Sequence, residues 1–205
     1  MLHQEEFDQL SEELSRALVT LYEFKVVFDD NEKQLALLNN TAPFFFLRLY
    51  DFYWNELIMA ISRLTDPRKQ RNHENLSVYI LEDFSDDLPS DKKENLRANF
   101  KTISNKADLI RKFRNKFISH RDKAVTKILP KNRETLYVQK IEEVFSLIQD
   151  CINIFYLFYN NEYEYHKPYV VLHGAQTLLY YLDLGKTFED IQDKMPFQYS
   201  TIDKI

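Results

Sequence analysis

From Phe7 to Leu38 the chain sets a residue every three or four positions on one line. These are Phe7, Leu10, Leu14, Ala17, Leu21, Phe24, Phe28, Asn31, Leu35 and Leu38, and only Asn31 is polar. Such spacing keeps one stripe turned to one neighbour over many turns. It predicts a single long helix over about 5–38, packed along a bundle or coiled-coil seam. Asn31 is either a slightly exposed position or a polar residue that fixes a register between chains.

"NNTAPFFF" stops and restarts the chain, with Thr41 as the expected N-cap and Pro43 in the first turn. Phe46, Tyr50, Tyr53, Trp54, Leu57, Ile58, Ile61 and Leu64 then form a broad stripe that predicts a helix over 43–64. It ends in "SRLTDPRK", because Pro67 disfavours the helical region for Asp66. "QRNHEN" reads as a polar loop, followed by a short helix around 75–83. Asp91 and Glu94 have capping-box spacing at the start of the next helix. Its stripe runs through Leu96, Phe100, Ile103, Ala107, Ile110, Phe113 and Phe117.

Residues 121–131 read as irregular. A helix over 133–160 follows, with Ile141, Phe145, Ile148, Ile152, Phe155 and Tyr159 on one face. A last helix near 173–184 is expected to be C-capped by Gly185. The pattern as a whole predicts an all-α bundle of five to six helices with a long N-terminal one. No repeat or linker divides it, so a single domain over 1–205 is expected, with its core at about 5–160 and a helical extension at 166–205.

Composition narrows the chemistry. The chain has 205 residues and two glycines, Gly174 and Gly185, so no glycine-rich phosphate loop can be written. A single cysteine, Cys151, excludes an internal disulfide and a multi-cysteine zinc site. His3, His73, His166 and His173 lack metal-ligand spacing, so neither a metal nor a cofactor is expected. The N-terminus is acidic and no charge-free window reaches 18 apolar residues, so the expected setting is cytoplasmic, away from membranes.

Charge changes the picture most. The net charge is −5, yet residues 111–133 hold nine Lys or Arg and one acid, Asp122. The stretch reads either as a solvated basic helix end or as a phosphate-binding surface on an acidic protein. Within it lies "RKFRNKFISHRDK" (111–123). On an ideal helix, at about 100° per residue, Arg114 and His120 flank the Ile110, Phe113 and Phe117 stripe about 120° apart. Asn115 points away from both. A kink near Ser119, the reach of the arginine, or a second chain would be needed to gather them.

"RNKFISH" (114–120) resembles the R-x(4–6)-H signature of HEPN domains, including the polar Asn115 directly after the arginine. Together with "WNELIMAISRLTDP" (54–67), "RNKFISHRD" (114–122) resembles the AbiU2-like branch, named after an abortive-infection phage-defence system. The likeness extends to about residue 160.

The resemblance implies a HEPN-like fold and a metal-independent endoribonuclease of phage-defence or toxin–antitoxin type. It implies a homodimer in which the signature helices line one cleft. His120 would be general base or acid, Arg114 the phosphate clamp, and Asn115 the residue that orients the site. Lys112, Lys116, Arg121 and Lys123 would hold the RNA backbone without reading bases.

Asp122 is a supporting residue. So are Arg63 and Asp66, which either form a buried polar pair that positions the signature helix or are a helix-end arginine and a turn aspartate. A toxin would also need a neutralising partner, a nucleotidyltransferase or another small protein.

Duller readings stand beside these. His120, Arg121 and Lys123 suit a helix C-terminus on electrostatic grounds alone. The Phe44 to Phe46 run and "FYLFYNNEYEY" (155–165) suit core or dimer interface better than base stacking. The alternative function is a non-catalytic helical module that binds RNA or a protein partner.

Overall fold

A computed structural model describes residues 4–28, 31–70, 72–115, 138–160 and 173–194. Among these the chain is all-α. The α-helices are α1 (Gln4–Val27), α2 (Glu32–Thr41), α3 (Pro43–Thr65), α4 (Ser90–Phe113), α5 (Val138–Asn160) and α6 (Ala175–Lys194). Between α3 and α4 lie a minimal hairpin of β1 (Lys69–Gln70) and β2 (His73–Glu74) and two 3-10 turns, Val78–Glu82 and Ser85–Asp87. The chain divides into two compact units. One comprises Met1–Tyr22 and Phe52–Val170; the other comprises Glu23–Asp51 and Val171–Ile205.

In the first unit the predicted stripes form the core. Leu10, Leu14, Ala17 and Leu21 of α1 are buried, as are Trp54, Leu57, Ile58, Ile61 and Leu64 of α3. From α4 come Leu96, Phe100, Ile103, Ala107 and Ile110, and from α5 Ile141, Val144, Phe145, Ile148, Cys151, Ile152 and Phe155. Each fully buried large aliphatic side chain contributes on the order of 2 kcal/mol. α4 packs along α5, and Lys106 Nζ donates to Glu143 Oε2 at 2.6 Å across that pair. Tyr159 departs from its predicted face and is more than half exposed, because it stands in the last turn of α5.

The second unit has a smaller core of Val27, Leu38, Phe46 and Ala175, flanked by Phe28, Leu49, Leu179 and Leu182. Glu23 anchors the start of α6 there, its Oε2 accepting from the Ala175 backbone N–H at 2.7 Å.

Several expected boundaries are corrected. The single helix over 5–38 is two helices. Asn31 is the N-cap of α2, its side chain accepting from the Lys33 N–H at 3.0 Å, so the polar interruption of the seam restarts the helix. Thr41 ends α2 rather than capping α3, because its hydroxyl donates back to the Leu37 carbonyl at 2.8 Å. The Phe46 N–H then reaches the Ala42 carbonyl, which places Pro43 in the first turn of α3.

The helix expected near 75–83 is a 3-10 turn. Asp91 lies inside the first turn of α4, whose N-cap is Pro89, with no side-chain capping bond. Gly185 is interior to α6, which runs on to Lys194; Lys186, Glu189 and Asp190 pair along the continuing helix. Among the described residues, no helix is long and apolar enough to cross a membrane.

Candidate active site

The site begins with how α3 ends. Pro67 stops the helix at Thr65, which leaves C-terminal carbonyls without intrahelical partners. The Thr65 hydroxyl, fully buried, donates to the Ile61 carbonyl at 2.7 Å. The Thr65 carbonyl accepts from Arg111 Nη1 of α4 at 2.8 Å, and Arg111 Nη2 donates to the Ser104 carbonyl at 3.1 Å. A guanidinium is favourable at a helix C-terminus, where the dipole is negative.

The next residue of α3's exit, Asp66, would be unfavourable there for the same reason. Arg114, one turn after Arg111, answers it: Nη1 lies 3.0 Å from Asp66 Oδ2 and 3.3 Å from Oδ1. Both side chains of this pair are about one-fifth exposed. Two arginines at i and i+3 on α4 thus fasten two consecutive residues at the end of α3.

Arg114 and Asn115 follow the last α-helical residue of α4 in a wider π-type turn. Such turns recur at functional sites. Asn115 Oδ1 accepts from Arg114 Nε at 3.1 Å. The guanidinium is therefore held on two sides, by Asp66 and by its neighbour. Its Nη2 has no partner among the described residues. Buttressing of this kind fixes an arginine without using up its donors, which suits the clamping of an anion.

Lys112 is exposed and spends its ammonium on Asp108 one turn earlier, at 2.6 Å. That hydrogen bond holds the Asp108 carboxyl below the usual carboxylate range. The pair is solvent-exposed, so it contributes little to stability. Arg63 does not turn to Asp66. It bonds Glu13 of α1 and Glu56 of α3, each at 2.8 Å, and is nearly half exposed; of the two readings of Arg63 and Asp66, Arg63 is the helix-end arginine, and Asp66 pairs with Arg114.

Lys116, His120, Arg121, Asp122 and Lys123 lie outside the described residues. Phe44 and Phe45 are exposed while Phe46 is buried, and of the later aromatic run Phe155 is buried and Phe158 is exposed. Two contributors escape motif reading, Arg111 and Thr65. The i, i+3 spacing of Arg111 and Arg114 was the available signal, but only the fold shows what the first of them holds.

The family model described as AbiU2, of the HEPN class, matches residues 3–174. The match passes residue 160 and takes in everything up to the start of α6. No curated protein and no solved structure matches the chain. With the all-helical order, the "RLTD" exit of α3 and the arginine of "RNKFISH" meeting at one point, and with that match spanning most of the sequence, the chain belongs to the AbiU2 family of HEPN domains, of the abortive-infection type.

Proposed function

We propose that the chain is a metal-independent endoribonuclease of a phage-defence or toxin–antitoxin system, working as a homodimer on RNA. The observation that carries the reading is the largely buried Arg114, held by Asp66 and Asn115, with Nη2 unpartnered among the described residues. It opens the signature stretch in the most basic part of an acidic chain.

In this reading the 2′-hydroxyl of one nucleotide attacks the adjacent phosphorus. His120 takes the hydroxyl proton, or returns one to the departing 5′-oxygen. Arg114 stabilises the negative charge that grows on the non-bridging oxygens. Asn115 keeps the guanidinium oriented, and Lys112, Lys116, Arg121 and Lys123 bind flanking phosphates. The new P–O2′ bond replaces the P–O5′ bond, giving a 2′,3′-cyclic phosphate and a 5′-hydroxyl end. Asp66 and Asp122 support the site. Such a toxin requires a neutralising partner, a nucleotidyltransferase or another small protein, and a cytoplasmic setting where RNA is met.

The test is cleavage of a generic RNA by purified protein in EDTA. Wild type is expected to cut and leave cyclic-phosphate ends. His120→Ala should lose about 10²–10⁴-fold in rate. Equal cutting by both proteins, or by neither, overturns the reading. It would favour the competitor, a helical module that binds RNA or a protein without cleaving. That competitor draws on the same ion pair, since a guanidinium held by a carboxylate also serves simply to fasten two helices.

A further inference from the structure

α6 begins where the family match ends, at residue 175, and it is apolar on two opposite sides. Taking an ideal helix of about 100° per residue, Ala175, Leu179 and Leu182 fall in one narrow sector, the one packed on the core of the second unit. Tyr180, Tyr181, Leu184, Phe188 and Ile191 fall in a sector about 100° wide on the other side. All five are exposed, Tyr181 by 65% and Phe188 by 61%. A surface helix needs one apolar face, and among the described residues nothing covers the second.

We propose that this outer face of α6 pairs with the same face of a second copy, antiparallel, about a two-fold axis near residue 186. Four observations choose that occupant. Tyr181, Leu184, Phe188 and Ile191 follow spacings of three, four and three, the seam of a two-helix coiled coil. Antiparallel pairing sets Tyr181 against the Ile191 position and Leu184 against the Phe188 position, so each aromatic meets an aliphatic. A parallel pair would stack like on like and align the helix dipoles unfavourably.

Next, the positions that flank the seam, Tyr180, Gly185, Thr187 and Gln192, are uncharged, so nothing on the rim repels an identical copy. Lys186 is engaged with Glu189 and Asp190 of its own helix, at 2.8 and 3.7 Å. Finally the area suffices. Three aromatics of roughly 200 Å² apiece, each exposed by about 60%, offer on the order of 400 Å² before Leu184 and Ile191 are added. A standard interface buries about 800 Å² per partner, of which rather more than half is apolar.

This pairing does not rest on the nuclease reading. It is tested on the full chain by oxidative cross-linking and by sedimentation. A mixture of Leu184→Cys and Phe188→Cys proteins should form disulfide-linked dimers faster than either variant alone. The buried native Cys151 stays out of that reaction. Leu184→Glu with Phe188→Glu should weaken self-association at least tenfold while leaving helicity unchanged, and RNA cleavage by the same variant reports separately on the nuclease. No cross-link between copies, faster linking by Leu184→Cys alone, or an unchanged dissociation constant would overturn the pairing.

Discussion

At the scale of single residues, Asp66 is where the end of one helix meets the signature of another. Its carboxylate faces an unfavourable dipole and is compensated by Arg114 at 3.0 Å. Asp66→Asn keeps the shape and removes the charge. It should lower stability by about 1–2 kcal/mol in urea unfolding, because the pair is partly solvated. If the nuclease reading holds, it should also lower kcat more than KM, as expected for a residue that positions rather than binds.

Cys151 makes a second residue-scale prediction. Burial raises its thiol from an ordinary 9.0 to about 12. The folded chain therefore keeps the proton that the unfolded chain releases. The stabilisation is whole below the unfolded value and is lost as pH rises through the window between them. Unfolding free energy measured from pH 8 to 11 should fall by up to about 1.4 kcal/mol per pH unit, and Cys151→Ala should flatten that fall.

Among the elements, two substitutions have signs that depend on where helices begin and end. Were α1 and α2 one continuous helix, Asn31→Ala would replace a poor helix former by the best one and stabilise it. With Asn31 capping α2, the same change should cost about 1 kcal/mol, read from a thermal melt. Gly185 behaves conversely. A C-cap glycine resists replacement, but an interior glycine in α6, with nothing within 4 Å of an added Cβ, should accept alanine and gain roughly 1 kcal/mol. Both positions were misplaced by periodicity for one reason. A hydrophobic stripe reports which face is buried and is blind to a short restart or to a terminus that simply continues.

Across the whole molecule, stability should be uneven. α4 and α5 bury long stripes against each other in the first unit, whereas the second is built on a small buried cluster of Val27, Leu38, Phe46 and Ala175. Amide hydrogen exchange should therefore be slowest along α5 and faster along α6, with α6 gaining protection as protein concentration rises. Uniform protection across both would contradict this.

The helical class, the buried stripes of α1, α3, α4 and α5, and the arginine of the signature were all legible along the chain, because apolar periodicity and a fixed motif spacing are local properties. The pairing partners were not. By position Asp66 read either as a partner of Arg63 or as a turn aspartate, and Arg114 was not in view. Which arginine it met depended on how α3 and α4 cross, and that crossing is set by packing between residues nearly 50 positions apart, where no local pattern reaches.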